Sequence, residues 1–216
     1  MKVIKEIINN ILSIFFKLIP SKNVNIESYR ANSIEKKLDL RIPYSNKNLI
    51  NFLISFSKKQ NDLKVFEFGS GSSTLFFEDY FHKVYSVEHD INWYKIIKNY
   101  TKTAEIIFET PQKTKYPKIK SKKFGFKNLD FENYVNSINK FNTKFDVIFI
   151  DGRAREECLK NAIKFVNKGG IIVIDDSSRS RYKNVIKNVK NYKKISNFYG
   201  FGMFIPLPHK ATVIEF

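Results

Sequence analysis

A doubly wound α/β sheet is the fold class this sequence predicts, and three observations carry the prediction. From residue 64 onward, short apolar runs rich in Val, Ile, Phe and Tyr alternate with helix-length segments. Such runs read as strands buried on both faces, and the spacing between them leaves room for the crossover helices that parallel strands need. The first run breaks abruptly into glycine and serine, "VFEFGSGSSTLFF" over Val65–Phe77, at a strand's carboxyl end, where open α/β sheets bind ligands.

Residues 1–20, "MKVIKEIINNILSIFFKLIP", place Ile4, Ile7, Ile8, Ile11, Phe15 and Leu18 on one face and predict an amphipathic helix ending near Pro20. Lys5, Asn9, Asn10 and Lys17 interrupt the apolar run, so neither a membrane span nor, without a small-residue cleavage site, a signal peptide is expected. Packing on its own domain, on a second subunit or on a membrane surface all suit such a helix. A further apolar-periodic segment predicts a helix over Asn48–Lys58. Strands are expected over 64–68, 83–88, 104–109, 145–151 and 170–176. A last pair, Ile195–Tyr199 and Ala211–Phe216, is separated by "GFGMFIPLPHK" and reads as an antiparallel hairpin closing the sheet. The connection 109–144 is too long for a turn. It carries seven lysines and no acid between Lys113 and Lys127, with Tyr116, Phe124 and Phe126 interleaved, then a short helical pattern in "LDFENYVNSINKF". A lid or solvated loop, a grip on an acidic substrate, and a single-strand nucleic-acid surface share that composition.

At 216 residues the chain suits one domain with a core of its own. Its one cysteine, Cys158, can form no internal disulfide, and a reducing, cytoplasmic setting is the expectation. The net charge of +17 is mostly lysine and accompanies abundant Asn, Ile, Phe and Tyr. These residues share AT-rich codons, so the charge by itself does not single out a polyanionic partner, although it draws anions at low salt.

The glycine-serine break is the chemical signal. Gly69 and Gly71 allow a tight turn and close approach to the backbone, and a helix opening near Ser73 or Thr74 aims free N–H groups at a ligand. A dinucleotide fingerprint wants a third glycine where Thr74 stands, and the phosphate loop G-x-x-x-x-G-K-[ST] is absent. The pattern that remains is Glu67-x-Gly69-x-Gly71 with Glu88 closing the next strand, an acid suited to a ribose diol. A nucleoside cofactor fits it better than a dinucleotide.

From Val65 to Phe216 the chain resembles the class I S-adenosylmethionine-dependent methyltransferases, through "VFEFGSGSST", "VYSVEHD", "FDVIFIDG" and "GGIIVIDDSSR" in the family's order. The resemblance implies a Rossmann-like, mostly parallel seven-stranded sheet with an antiparallel last strand. It divides the chain into an N-terminal helical extension, 1–60, and an S-adenosylmethionine-binding methyltransferase domain, 61–216. It implies that Glu67, Gly69 and Gly71 line the methionine and ribose portion, that Glu88 holds the ribose diol, and that Ser72 and Asp151 also bind the cofactor; His89, next to the ribose acid, is either a further cofactor contact or an ordinary surface or satisfied polar histidine. Trp93 or Tyr94 is a candidate to flank the adenine.

The acceptor side is read from the other strand ends. Asp151, Asp175 and Asp176 should gather at one sheet edge, where carboxylates without His or Cys favour magnesium. The metal-assisted catechol-type and macrocin-type O-methyltransferases look similar there, but "DGRAREEC" and "DDSSR" depart from both. Asp151 is then a metal ligand, a metal-free general base or, with Asp175 and Asp176, a structural acid. Arg153, Arg155, Arg179 and Arg181 either clamp an anionic acceptor or brace the acidic loops. The expected function is methyl transfer from S-adenosylmethionine to a hydroxyl of a sugar or other polar small molecule. Nucleic-acid methylation is the rival that charge favours, without the N/D-P-P-Y/F motif or a placed cysteine nucleophile. A non-catalytic binding module on the same fold is the other.

Overall fold

The structure is a computed structural model and describes residues 33–205 and 207–216; the amphipathic helix expected over 1–20 lies outside them. Seven strands form one sheet: β1 (Lys64–Phe68), β2 (Lys83–Glu88), β3 (Glu105–Phe108), β6 (Phe145–Ile150), β7 (Val166–Ile174), β8 (Lys194–Phe201) and β9 (Pro208–Glu215). Their order across it is β3-β2-β1-β6-β7-β9-β8. Neighbours are parallel except at β9, which runs antiparallel to both β7 and β8. The expected hairpin is therefore the sheet's closing edge. A separate two-stranded ribbon, β4 (Gln112–Lys113) with β5 (Leu129–Asp130), organises the long connection.

Helices cover both faces, so the strands are apolar on both. Along β1, Val65 joins Leu49, Leu53 and Phe56 of α2 (Lys47–Ser57) and Phe77 of α3 (Ser72–Tyr80) on one face. Phe66 and Phe68 face the opposite core, with Tyr134 of α5 (Glu132–Asn136) and Leu159 of α6 (Arg155–Ala162). Each such fully buried side chain contributes roughly 1.5–3 kcal/mol. The other α-helices among the described residues are α1 (Ile34–Asp39), α4 (Ile91–Tyr100) and α7 (Ser180–Lys187). α2 shares the first core, and its N-cap does two jobs: Asn46 Oδ1 accepts from Leu49 N at 3.0 Å while its Nδ2 donates to Phe198 O of β8 at 3.1 Å. Among the described residues no helix is long and apolar enough to cross a membrane.

The chain winds outward from β1 to β3, then returns to lay β6 against the other side of β1. That reversal leaves a crevice beyond the carboxyl ends of β1 and β6, the switch point at which open α/β sheets bind ligands.

Candidate active site

The glycine-serine loop follows β1, and its two glycines serve different ends. Gly69 has φ +98° and donates its N–H to Val87 O at 2.9 Å. A Cβ there would stand 2.7 Å from Gly152 Cα, so what comes close at Gly69 is the backbone leaving β6. Gly71 has φ 176°, ordinary extended backbone, and a Cβ on it would meet no protein atom nearer than 4.0 Å. Of the tight turn and close approach expected of the two glycines, Gly69 alone takes a left-handed backbone; Gly71 leaves a bare wall facing a cavity. α3 starts at Ser72, slightly earlier than expected, with Thr74 Oγ1 accepting from Gly71 N at 2.9 Å.

Glu67 does not line that cavity. It is wholly buried behind the loop, where the hydroxyls of Ser73 and Thr74 donate to it and that of Ser86 does so at 3.0 Å. Burial pushes its carboxyl up to about 8, against those three hydroxyls. The structure thus corrects the expectation that Glu67 touches the cofactor: it braces the loop that does the lining.

The cavity, about 720 Å³, is bounded by the loop, the end of β2 and the end of β6. Glu88, 3% exposed, forms part of its wall. Its Oε1 accepts from His89 N at 2.7 Å and Asp90 N at 2.8 Å, and its Oε2 accepts more loosely from Ser70 N at 3.2 Å and Ser70 Oγ at 3.4 Å. The looser oxygen keeps acceptor capacity for a diol. His89 Nδ1 stands 2.6 Å from Oε1 without hydrogen-bond geometry, and its ring packs among Phe126, Phe131 and Tyr134. Asp90 caps α4 by accepting from Asn92 N and Trp93 N, and Trp93 Nε1 reaches back to Ser70 O at 2.7 Å. Trp93 therefore flanks the cavity, while Tyr94 packs against Phe108.

Asp90, the last residue of "VYSVEHD", also lines the cavity, and Tyr44, Lys123 and Phe126 complete the lining beyond the residues to which the motifs point. The aspartate before an apolar-periodic helix is a readable cap signal. Tyr44 has no local signal, because only the tertiary fold carries it across to the loop. Ser72 Oγ is buried on the cavity wall without a hydrogen-bond partner, and Gly71 leaves room for a ligand. A hydroxyl-rich nucleoside group fits this wall.

Asp151 follows β6 and borders the cavity, its side chain 30% exposed. Oδ1 accepts from Arg155 Nη2 at 2.6 Å, and Oδ2 is unengaged among the described residues. Partial loss of hydration raises this carboxyl to about 6 even though Arg155 pulls it down, with Asp175 adding to the rise. Arg155 itself is committed: Nε donates to Gly152 O, Nη1 to Asp175 O and Nη2 to Asp151 O. Those bonds staple the ends of β6 and β7 together, so Arg155 is a brace and the clamp expectation is corrected for it.

The metal expectation is corrected too. Asp175 Oδ1 accepts from Ser45 Oγ at 2.7 Å and its Oδ2 meets His209 Nε2 at 3.1 Å. Asp176, at φ +48°, is paired with Arg179. Each of the three acids thus has its own cation or donor, and among the described residues no group of three or more His, Cys, Asp and Glu is placed to hold a metal ion. The residues do not fit magnesium. Arg153 lies over the Phe126 ring at 5.2 Å, and Arg181 over that of Tyr182 at 4.9 Å.

No protein-family model matches the sequence, and no curated protein does. Solved structures do match. An O-methyltransferase from Bacillus cereus in complex with SAH has a TM-score of 0.58 at 14% identity, over 85% of this chain and 90% of that one. Precorrin-6y C5,15-methyltransferase from Geobacter metallireducens gives 0.51 at 13%, over 86% and 92%. Spermidine synthase from Thermotoga maritima gives 0.50 at 17%, over 75% of this chain and 55% of that one. Such identities show the fold, which hosts more than one named activity. With β9 antiparallel in an otherwise parallel doubly wound sheet, this chain has the Rossmann-like fold of these solved structures.

Proposed function

We propose that the protein transfers a methyl group from S-adenosylmethionine to a hydroxyl of a sugar or other polar small molecule. The observation that carries this reading is the cavity at the switch point, where bare Gly71, unpartnered Ser72 Oγ and the Glu88 carboxylate share one wall. When bound, the cofactor supplies an electrophilic methyl group on a sulfonium. Glu88 holds the ribose hydroxyls, the loop from Gly69 to Ser73 takes the methionine side, and Trp93 bounds the base. Positioning the acceptor in line is most of the remaining task.

An alcohol must also lose its proton. Asp151 borders the cavity with one oxygen held by Arg155 and the other unengaged, so Oδ2 takes the acceptor's proton while Oδ1 stays anchored. With its carboxyl raised to about 6, Asp151 is mostly ionised at neutral pH. The active, deprotonated form is lost as pH falls through that value, so kcat should drop about tenfold per pH unit below it. Asp151→Asn keeps an oxygen for Arg155 and should lower turnover by a factor on the order of 10²–10⁴ with S-adenosylhomocysteine affinity retained. Turnover followed from pH 5 to 8 in both proteins checks this, and an active Asn variant with the wild-type profile would remove the base role.

One observation favours a nucleic-acid acceptor instead: Tyr116 and Phe124 stand 78% and 101% exposed among the lysines of the long connection. Binding of that kind weakens steeply with salt.

A further inference from the structure

Beside the cofactor cavity lies a second one of about 240 Å³, sharing Lys123, Gly152 and Arg153 with it. Its wall gathers Lys120, Lys122, Lys123, Arg153, Arg179 and Arg181 against one carboxylate, Glu156. Glu156 pairs with Lys122 at 2.9 Å, and Asp176 with Arg179. Lys120, Lys123, Arg153 and Arg181 are left without an ion pair among the described residues. The seventh cation on the wall, Arg155, is already spent on Asp151.

The excess charge acts on its own members. Arg153 foremost, then burial, then Arg179 and Arg155 push the Lys123 ammonium below its usual value. Arg153 Nε is buried with no hydrogen-bond partner. The first turns of α6 and α7 also line this basin, and neither helix has a side-chain cap: the N-cap positions are Ala154, at φ +48°, and Arg179. Uncapped N–H groups add positive potential where the cations already repel one another. Unpaired cations, an unpartnered guanidinium nitrogen and two uncapped helix starts converging on one small volume lack only an anion.

We propose that this basin binds a phosphate monoester carried by the methyl acceptor, an inference that rests on the methyltransferase reading and specifies its substrate class. Four unpaired cations call for more than the single charge of a carboxylate, and guanidinium forks match phosphate oxygens bidentately. The shared wall at Lys123, Gly152 and Arg153 lets the rest of the acceptor reach Asp151. Convergence on about 240 Å³ suits one phosphate group rather than a strand's track.

Calorimetric titration of the full chain, saturated with S-adenosylhomocysteine, with inorganic phosphate at constant ionic strength tests the inference. One saturable site is expected, weakened about tenfold or more in Arg179→Gln/Arg181→Gln. Neither arginine lines the cofactor cavity, so S-adenosylhomocysteine affinity should be unchanged and reports that the variant is folded. No saturable phosphate binding, or equal binding by the double variant, overturns the basin and leaves the cofactor reading intact. Phosphate bound by a chain that takes up no S-adenosylhomocysteine supports the basin and removes the methyltransferase reading. Displacement of phosphate by a short single-stranded RNA, lost with added salt, overturns the small-molecule assignment.

Discussion

Gly152→Ala should destabilise the protein by about 3 kcal/mol or more and lower Tm by roughly 6–12 °C. A Cβ at Gly152 would stand 1.9 Å from Tyr134 Oη and 2.9 Å from Phe68 O. Neither neighbour has room to give. Phe68 O accepts from Asp151 N at 3.1 Å, and Tyr134, 1% exposed, is packed by Phe68, Phe131 and His89. The worst contact is with the phenol oxygen alone, and that oxygen is buried without a hydrogen-bond partner. Tyr134→Phe should therefore be neutral or stabilising by itself, since it removes an unsatisfied polar atom. It should also restore a good part of the stability lost in Gly152→Ala. Thermal melts of the two single variants and the double variant measure the coupling; no rescue by Tyr134→Phe would show that the strain lies in the backbone contact.

Glu88→Ala should weaken S-adenosylhomocysteine binding by a factor on the order of 100, the loss expected when a charged acceptor of two hydroxyls is removed. Glu88 also accepts from three backbone N–H groups, of Ser70, His89 and Asp90, so the Ala variant should melt lower as well. Two further variants separate recognition from scaffolding. Glu88→Gln keeps the shape and should bind about tenfold more weakly than wild type. Ser70→Ala removes only the 3.4 Å hydroxyl contact and should leave affinity within about twofold. Affinity unchanged in Glu88→Ala would end the ribose assignment.

Much of the fold was legible because its signals are local. β1 and β2 fall on the residues predicted, since a buried parallel strand is a continuous apolar run ended by Gly69 or by Glu88-His89. Strand ends also placed Glu88 and Asp151 at one crevice. What could not be read depends on residues far apart in sequence. Gly69 looked like a glycine bared for a ligand, but its neighbour is Gly152, brought there by the return of β6 beside β1. Glu67 carried the right motif spacing, yet its hydroxyl partners turn it inward. Asp175 looked available to a metal, and is taken by Ser45, 130 residues earlier, and by His209. The arginines after the two acidic strand ends read equally as clamp or brace; only the tertiary structure separates Arg155, ion-paired with Asp151 and bonded to three carbonyls, from Arg153 and Arg181, which have no ion pair among the described residues.

Calorimetric titration of the wild-type chain with S-adenosylhomocysteine, set beside NAD⁺ under the same conditions, separates a nucleoside site from a dinucleotide site. A single site with micromolar Kd for S-adenosylhomocysteine is expected, and no saturable heat for NAD⁺. The third glycine of a pyrophosphate turn is replaced by Thr74, whose hydroxyl is already engaged with Gly71 and Glu67. Absence of S-adenosylhomocysteine binding at millimolar ligand, or tighter binding of NAD⁺, would contradict the assignment of this cavity to S-adenosylmethionine.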